Sequence, residues 1–295
     1  MRRISSAIAP LAVLLASVLG GRVSAQSSPV AVSLTASDGV VVHGLHYRAP
    51  HARAIILLFH QAGSSKAEYA TIAPRLVARG FDALAIDQRS GGDLFGPNLT
   101  MAGARGRPGY LDAKKDLDAA FAWGKRRHAP IILWGSSYSA ALVFLVAAQH
   151  PGDVRAVLAF SPGEYLDGKD IVRIAASRVR APIFVTSAQT VAEVKAAARI
   201  VAAAPARQKM QYVPVAGGVH GASTLIVARN PGGAAANWAA VSRFLDRTVP
   251  ASSHVAARVP GDDGAHGRSV TFSTAPTKSL SKRAGQIGHA AAQEH

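Results

Sequence analysis

Ser137 stands in Gly135-Ser136-Ser137-Tyr138-Ser139, between the apolar run Pro130-Ile131-Ile132-Leu133-Trp134 and an apolar helical pattern that begins at Ala140. That is the outline of a strand, a very tight turn and a helix. Small residues at −2 (Gly135) and +2 (Ser139) fall where such a turn brings two backbones together. The turn would lift a serine hydroxyl to the strand tip, with a helix N-terminus behind it. The pattern is G-x-S-x-S, against the commoner G-x-S-x-G. A serine hydroxyl is a poor nucleophile until a base takes its proton, and histidine does this near neutral pH. His220, in Gly217-Gly218-Val219-His220-Gly221, lies on a glycine-rich loop after the last strand-like run and follows the serine in chain order. His43 and His46 in a hairpin, His51 just after it, and His128 and His150 at helix ends are worse bases by position.

These groups need elements to hold them. Residues 30–36 and 40–48 are strand-like and joined by Ser37-Asp38-Gly39, which predicts an antiparallel hairpin at one sheet edge. Residues 54–60 form a continuous apolar run, as in a strand buried on both faces. The pattern then predicts helix 68–79, strand 82–87, helix 111–127, strand 130–136, helix 137–150, strand 155–160 and helix 170–179. Strand 182–187, helix 191–204, strand 208–215 and helix 234–247 complete it. Such alternation builds a mostly parallel sheet with helices on both faces. Ligands bind beyond the carboxyl ends of its strands, so residues just after each strand matter most.

Beside the serine turn, three strand ends carry His60-Gln61-Ala62-Gly63-Ser64-Ser65, Asp87-Gln88-Arg89-Ser90-Gly91-Gly92 and the His220 loop. In order and spacing, from about residue 30 to 249, the chain resembles the α/β-hydrolase superfamily, closest to its dienelactone-hydrolase-like and serine esterase-like members. The resemblance implies an α/β-hydrolase fold with a Ser-His-acid triad, an acyl-enzyme and no metal or organic cofactor. It implies Ser137 as nucleophile and His220 as base. The acid is expected after strand 182–187, yet Ser187-Ala188-Gln189-Thr190 has none; Glu193 is the only carboxylate between Ile183 and His220. Glu193 is therefore the expected acid, with Glu164 as runner-up and Asp167 and Asp170 behind it. The backbone N–H groups of Gln61 and Tyr138 are the implied oxyanion donors. His60 and the 87–92 turn match structural positions. Strict dienelactone hydrolases use a cysteine nucleophile, and this chain has no cysteine. Only about twenty residues separate strands 155–160 and 182–187, where larger relatives insert a lid, so little or no lid is expected. The longer 88–110 loop, with Phe95, Arg105 and Arg107, is expected to form one wall and to favour acidic substrates.

Met1-Arg2-Arg3, the mostly apolar stretch 8–19 and Val23-Ser24-Ala25 read as a secretory signal peptide over residues 1–25, which predicts a secreted or periplasmic protein. Residues 26–250 would be the catalytic domain. Residues 251–295, without periodicity and rich in Pro, Gly, Ser, Ala and basic residues, read as a disordered basic tail. Its His254, His266, His289 and His295 are too widely spaced for a defined metal site. Without disulfides, an exported chain must rely on a sizeable core. The net charge of +16 serves solubility and gives a weak attraction to anionic envelope surfaces. Scattered basic residues without aromatic stacking positions argue against nucleic acid, and oligomeric state is not readable. No phosphate loop, zinc helix or dinucleotide turn is present. The expected substrates are small-molecule or polymer carboxyl esters. A serine peptidase of the same fold and a non-catalytic binding module are the alternative readings.

Overall fold

The apolar runs around the serine become the centre of one sheet because only burial on both faces removes all of their surface from water. The computed structural model describes residues 28–104 and 106–250. The expected leader and tail, and Arg105, lie outside the described residues. The strands are β1 (Val30–Thr35), β2 (Val41–Tyr47), β3 (Ile55–Phe59), β4 (Asp82–Ile86), β5 (Ile131–Ser136), β6 (Val154–Phe160), β7 (Ile183–Thr186) and β8 (Lys209–Tyr212). Their order is β1-β2-β4-β3-β5-β6-β7-β8. The hairpin β1–β2 and the β2–β4 pair are antiparallel, and every other neighbour is parallel. Every residue of β3 and β5 is buried.

Helices cover both faces. Against Ile55, Leu57, Phe59 and Leu133 pack α3 (Lys114–Lys125), α4 (Tyr138–Gln149), α5 (Ile171–Ala176) and α6 (Val191–Ala203). Against Ile56, Leu58, Ile132 and Trp134 pack α1 (Ala73–Ala78) and α7 (Ala234–Thr248). Alternate residues of each strand therefore feed different cores. After β3 the chain moves one way to β4; from β5 it moves the other way, so the β3–β5 boundary is the switch point where such sheets bind ligands. Between β6 and β7 stands only the six-residue α5, which leaves the carboxyl edge without a helical lid.

The expected helix 68–79 is instead a 3₁₀ turn, Lys66–Tyr69, followed by α1. Pro74 explains the break: it fits the first turn of α1 but would disrupt a helix interior. Helix 111–127 likewise starts as a 3₁₀ turn at Tyr110–Ala113. Strand 208–215 stops at Tyr212, two residues short of Pro214, which cannot donate to a ladder. A short helix not expected from the sequence, α2 (Leu99–Gly103), is capped by Asn98, whose side chain accepts the Met101 N–H at 2.7 Å. Asn98 is buried and its amide also donates to the Ser64 and Gln88 carbonyls.

The 87–92 turn is structural, as expected. Asp87 accepts the Lys66 N–H and Leu99 N–H and pairs with the Lys66 Nζ. A Cβ on Gly91 would lie 2.4 Å from the Ser64 carbonyl, so glycine is what lets the two loops close together. Arg89 is buried between Asp116, fully buried, and Asp38. Hydrogen bonding to Arg89 holds Asp38 well below the usual carboxylate range, whereas burial pushes Asp116 up against the same pull. Removing one partner of a buried pair leaves the other uncompensated. Arg89→Ala is expected to destabilise the fold by about 3–5 kcal/mol, measured by urea unfolding; an unchanged midpoint would refute this role.

Candidate active site

The Ser137 turn is built by two close contacts. Ser137 has φ 58° and ψ −121°, a strained conformation for a residue with a side chain. A Cβ on Gly135 would stand 2.3 Å from the Ser139 carbonyl, so no larger residue fits at −2. At +2, Ser139 stands where the commoner pattern has glycine. Its buried hydroxyl donates to the His60 carbonyl at 2.6 Å and accepts from the Gln88 amide at 2.5 Å. Register places Gly135 beside Phe59 and Ser136 beside Phe160, so the serine rises between the ends of β3 and β6. Its own N–H bonds to the Phe160 carbonyl.

The structure brings Ser137, His220 and Glu193 into one line. His220 Nε2 lies 2.8 Å from Ser137 Oγ, and its Nδ1 lies 3.1 Å from Glu193 Oε1. With Nδ1 carrying the proton, Nε2 is free to accept from the serine. Glu193 comes from the first turn of α6, whose N-cap Thr190 accepts the Glu193 N–H. A glutamate three residues into that helix reaches His220 from beyond the loop where an aspartate was expected. Burial raises the Glu193 carboxyl, but hydrogen bonds from Ser161, His220 and the Ala188 N–H outweigh it and bring it below the ordinary glutamate value. Gln189, in that loop, instead ties to the carbonyls of Pro214 and Val215 and accepts the Gly218 N–H, which holds the approach to His220.

The runner-up acid is elsewhere employed. Glu164 accepts the N–H groups of Val172 and Arg173 at 2.9 and 2.8 Å and so caps α5. Asp170 pairs with Arg173, and Asp167 is exposed. His60 is fully buried, accepts the Gln88 N–H at Nε2 and faces the Gln61 carbonyl with Nδ1. Burial lowers it to about 4, which keeps it a neutral scaffold.

The expected oxyanion donors divide. Tyr138 opens α4, where the first N–H groups have no intrahelical acceptor and the helix dipole is positive. The Gln61 N–H, by contrast, donates to Glu68 Oε2 at 2.8 Å and is not free for an oxyanion. The next N–H along, that of Ala62, has no hydrogen-bond acceptor among the described residues. The offset arises because Glu68, seven residues away in sequence, folds back under the loop.

Sequence reasoning also missed Ser161. Its φ is 55° and its hydroxyl accepts the Gly221 N–H, next to His220, at 2.9 Å. The available signal was its place directly after β6, the strand beside the nucleophile strand. Of the 88–110 wall, Tyr110 stacks on Tyr138 at 4.5 Å, Arg107 is exposed, and Phe95 packs into the α1–α7 side under Arg229. Among the described residues no three His, Asp or Glu side chains converge as a metal site.

Solved structures share this architecture at low identity. A dienelactone hydrolase from Anabaena variabilis is 20% identical, with a TM-score of 0.60 over 76% of this chain and 99% of its own. An esterase from Pyrococcus furiosus is 19% identical, with a TM-score of 0.55 over 74% and 90%. A soluble variant of monoglyceride lipase from Saccharomyces cerevisiae, solved with a substrate analogue, is 12% identical, with a TM-score of 0.55 over 78% and 98%. No curated protein sequence matches. Residues 50–210, more than half of the chain, match the family model described as serine aminopeptidase, S33. The matched segment holds the strained serine and Glu193, and the chain belongs to that family of α/β-hydrolases.

Proposed function

We propose that this protein is an exported serine hydrolase that cleaves carboxyl esters. The observation that carries the reading is the unbroken hydrogen-bonded line from Ser137 Oγ through His220 to the Glu193 carboxylate. Ser137 Oγ attacks the acyl carbonyl as its proton passes to His220 Nε2. The imidazolium that forms is stabilised and oriented by Glu193, and the oxyanion is received by the N–H groups of Tyr138 and Ala62. Collapse breaks the ester C–O bond, and His220 returns the proton to the leaving alcohol. Water, activated by the same histidine, then hydrolyses the acyl-enzyme and restores the serine.

An edge with only α5 between β6 and β7 suits small or surface-bound esters better than long buried chains. The esterase and lipase names of the structural neighbours lean the same way. The family description favours a second reading, a serine aminopeptidase, which the same residues would serve. Export rests on the basic, apolar and small-residue pattern of residues 1–25, and the excess positive charge supports weak attraction to anionic envelope surfaces. A purely binding role is disfavoured, since it would have no use for a strained serine hydrogen-bonded to a carboxylate-backed histidine.

A fluorophosphonate reagent is expected to label the wild type and not Ser137→Ala; a folded wild type that neither labels nor turns over short p-nitrophenyl esters would end the hydrolase reading. Parallel ester and aminoacyl-amide assays should give the higher kcat/KM with the ester, and the opposite ranking would establish the peptidase. Glu193→Gln is expected to lower kcat by about 10²–10⁴-fold with little change in KM. Glu164→Ala should leave kcat within about twofold and cost about 1 kcal/mol of stability through the lost helix cap. Reversed effects of these two variants would move the acid to Glu164.

A further inference from the structure

Behind Ser137 a chain of hydrogen bonds joins two loops that the reaction uses on opposite sides. The Ala222 N–H donates to Ser136 Oγ at 2.8 Å, Ser136 Oγ donates to Glu68 Oε1 at 2.9 Å, and Glu68 Oε2 accepts the Gln61 N–H at 2.8 Å. Ala222 lies two residues past the base His220, Ser136 immediately precedes the nucleophile, and Gln61 immediately precedes the free N–H of Ala62. Glu68 and Ser136 are both buried. The crossing has no slack, since a Cβ on Gly221 would lie 2.5 Å from Ser136 Oγ.

A carboxylate lets both ends of this relay donate to its middle. Donors meet both of its oxygens, the Gln61 N–H at one and the Ser136 hydroxyl at the other. An amide of the same shape can accept the Gln61 N–H only with its NH2 turned to Ser136 Oγ, which reverses that bond and makes the hydroxyl accept twice. Among the described residues no Lys, Arg or His pairs with Glu68; the titratable groups that feel its charge are Tyr69 and Tyr138. Burial pushes the Glu68 carboxyl up to about 7, against the pull of the Gln61 N–H, Ser136 and Ser64. A buried carboxylate without a cation is costly, so packing alone does not account for it.

We propose that Glu68 is a positioning residue for hydrolysis: through Ser136 and the Gln61 N–H it sets the separation of the His220 loop and the Ala62 donor across the Ser137 turn. The proposal rests on the serine-hydrolase reading. It also makes an unprotonated Glu68 a second requirement for turnover, beside a neutral His220.

The test measures kcat, KM and fluorophosphonate labelling for wild type, Glu68→Gln, Ser136→Ala and the double variant across about pH 5.5 to about 9, each checked for a cooperative thermal transition. Each single variant is expected to lower kcat at alkaline pH by about tenfold or more, with KM within about twofold. The double variant should lose no more than the worse single, because the same relay is broken twice. The acid limb of log kcat should be steeper in wild type than in Glu68→Gln. A labelled wild type with Glu68→Gln within about twofold of its kcat, or single losses that multiply in the double variant, would overturn the proposal alone. A wild type that neither labels nor turns over would remove the hydrolase reading and this proposal with it. Should Glu68→Gln fail to fold, Ser136→Ala, which deletes one hydroxyl, decides by the same kcat criterion.

Discussion

The contact of the Gly135 and Ser139 backbones is the constraint on which the rest of the site depends. It forces β5 into α4 within two residues and leaves Ser137 in a backbone conformation that a side chain adopts only under compulsion. What compels it lies around the turn: β3 and β6 paired to β5 in parallel register, and α4 locked into the core through Tyr138, Leu142 and Phe144. The strain is held by burial on both faces of the sheet, and the hydroxyl it presents at the strand tip has His220 Nε2 at hydrogen-bond distance.

Beneath the serine the protein keeps polar groups where apolar packing would be simpler. Gln88 alone accepts the His60 N–H and donates to Tyr138 and Ser139, so it clamps β3, β4 and α4 together. Such networks are costly unless every member is satisfied, and when satisfied they specify one arrangement. This explains how serine replaces glycine at +2: Ser139 finds both a donor and an acceptor within the clamp. On the other side, the Ser161 hydroxyl holds the Gly221 N–H, and His220 itself is hydrogen-bonded to Glu193, so the loop is placed before any substrate arrives.

Glu193 reaches His220 from the first turn of α6, although the loop after β7 carries no carboxylate. That loop carries Gln189, which braces the segment after β8 that leads to His220. The missing lid follows the same economy of chain: α5 occupies the β6–β7 connection, and Glu164 is spent on capping it.

Local pattern alone determined the strand–helix alternation, the edge hairpin and the Ser137 turn, because burial on two faces and a tight strand-to-helix crossing leave their mark in contiguous residues. His220 was legible on its glycine-rich loop, and Glu193 was the lone carboxylate in the interval where the family resemblance implies the acid. Element ends were less legible, since Pro74 and Pro214 act through ladder and helix geometry rather than through periodicity. Tertiary structure alone decided which loop amide is free for an oxyanion: Glu68 takes the Gln61 N–H and leaves that of Ala62. It also decided that Glu164 caps a helix, and that Ser161 and Ser136 join the site. Those outcomes depend on which distant groups meet across strand ends, and hydrogen-bond partners separated by tens of residues leave no spacing in the sequence to read.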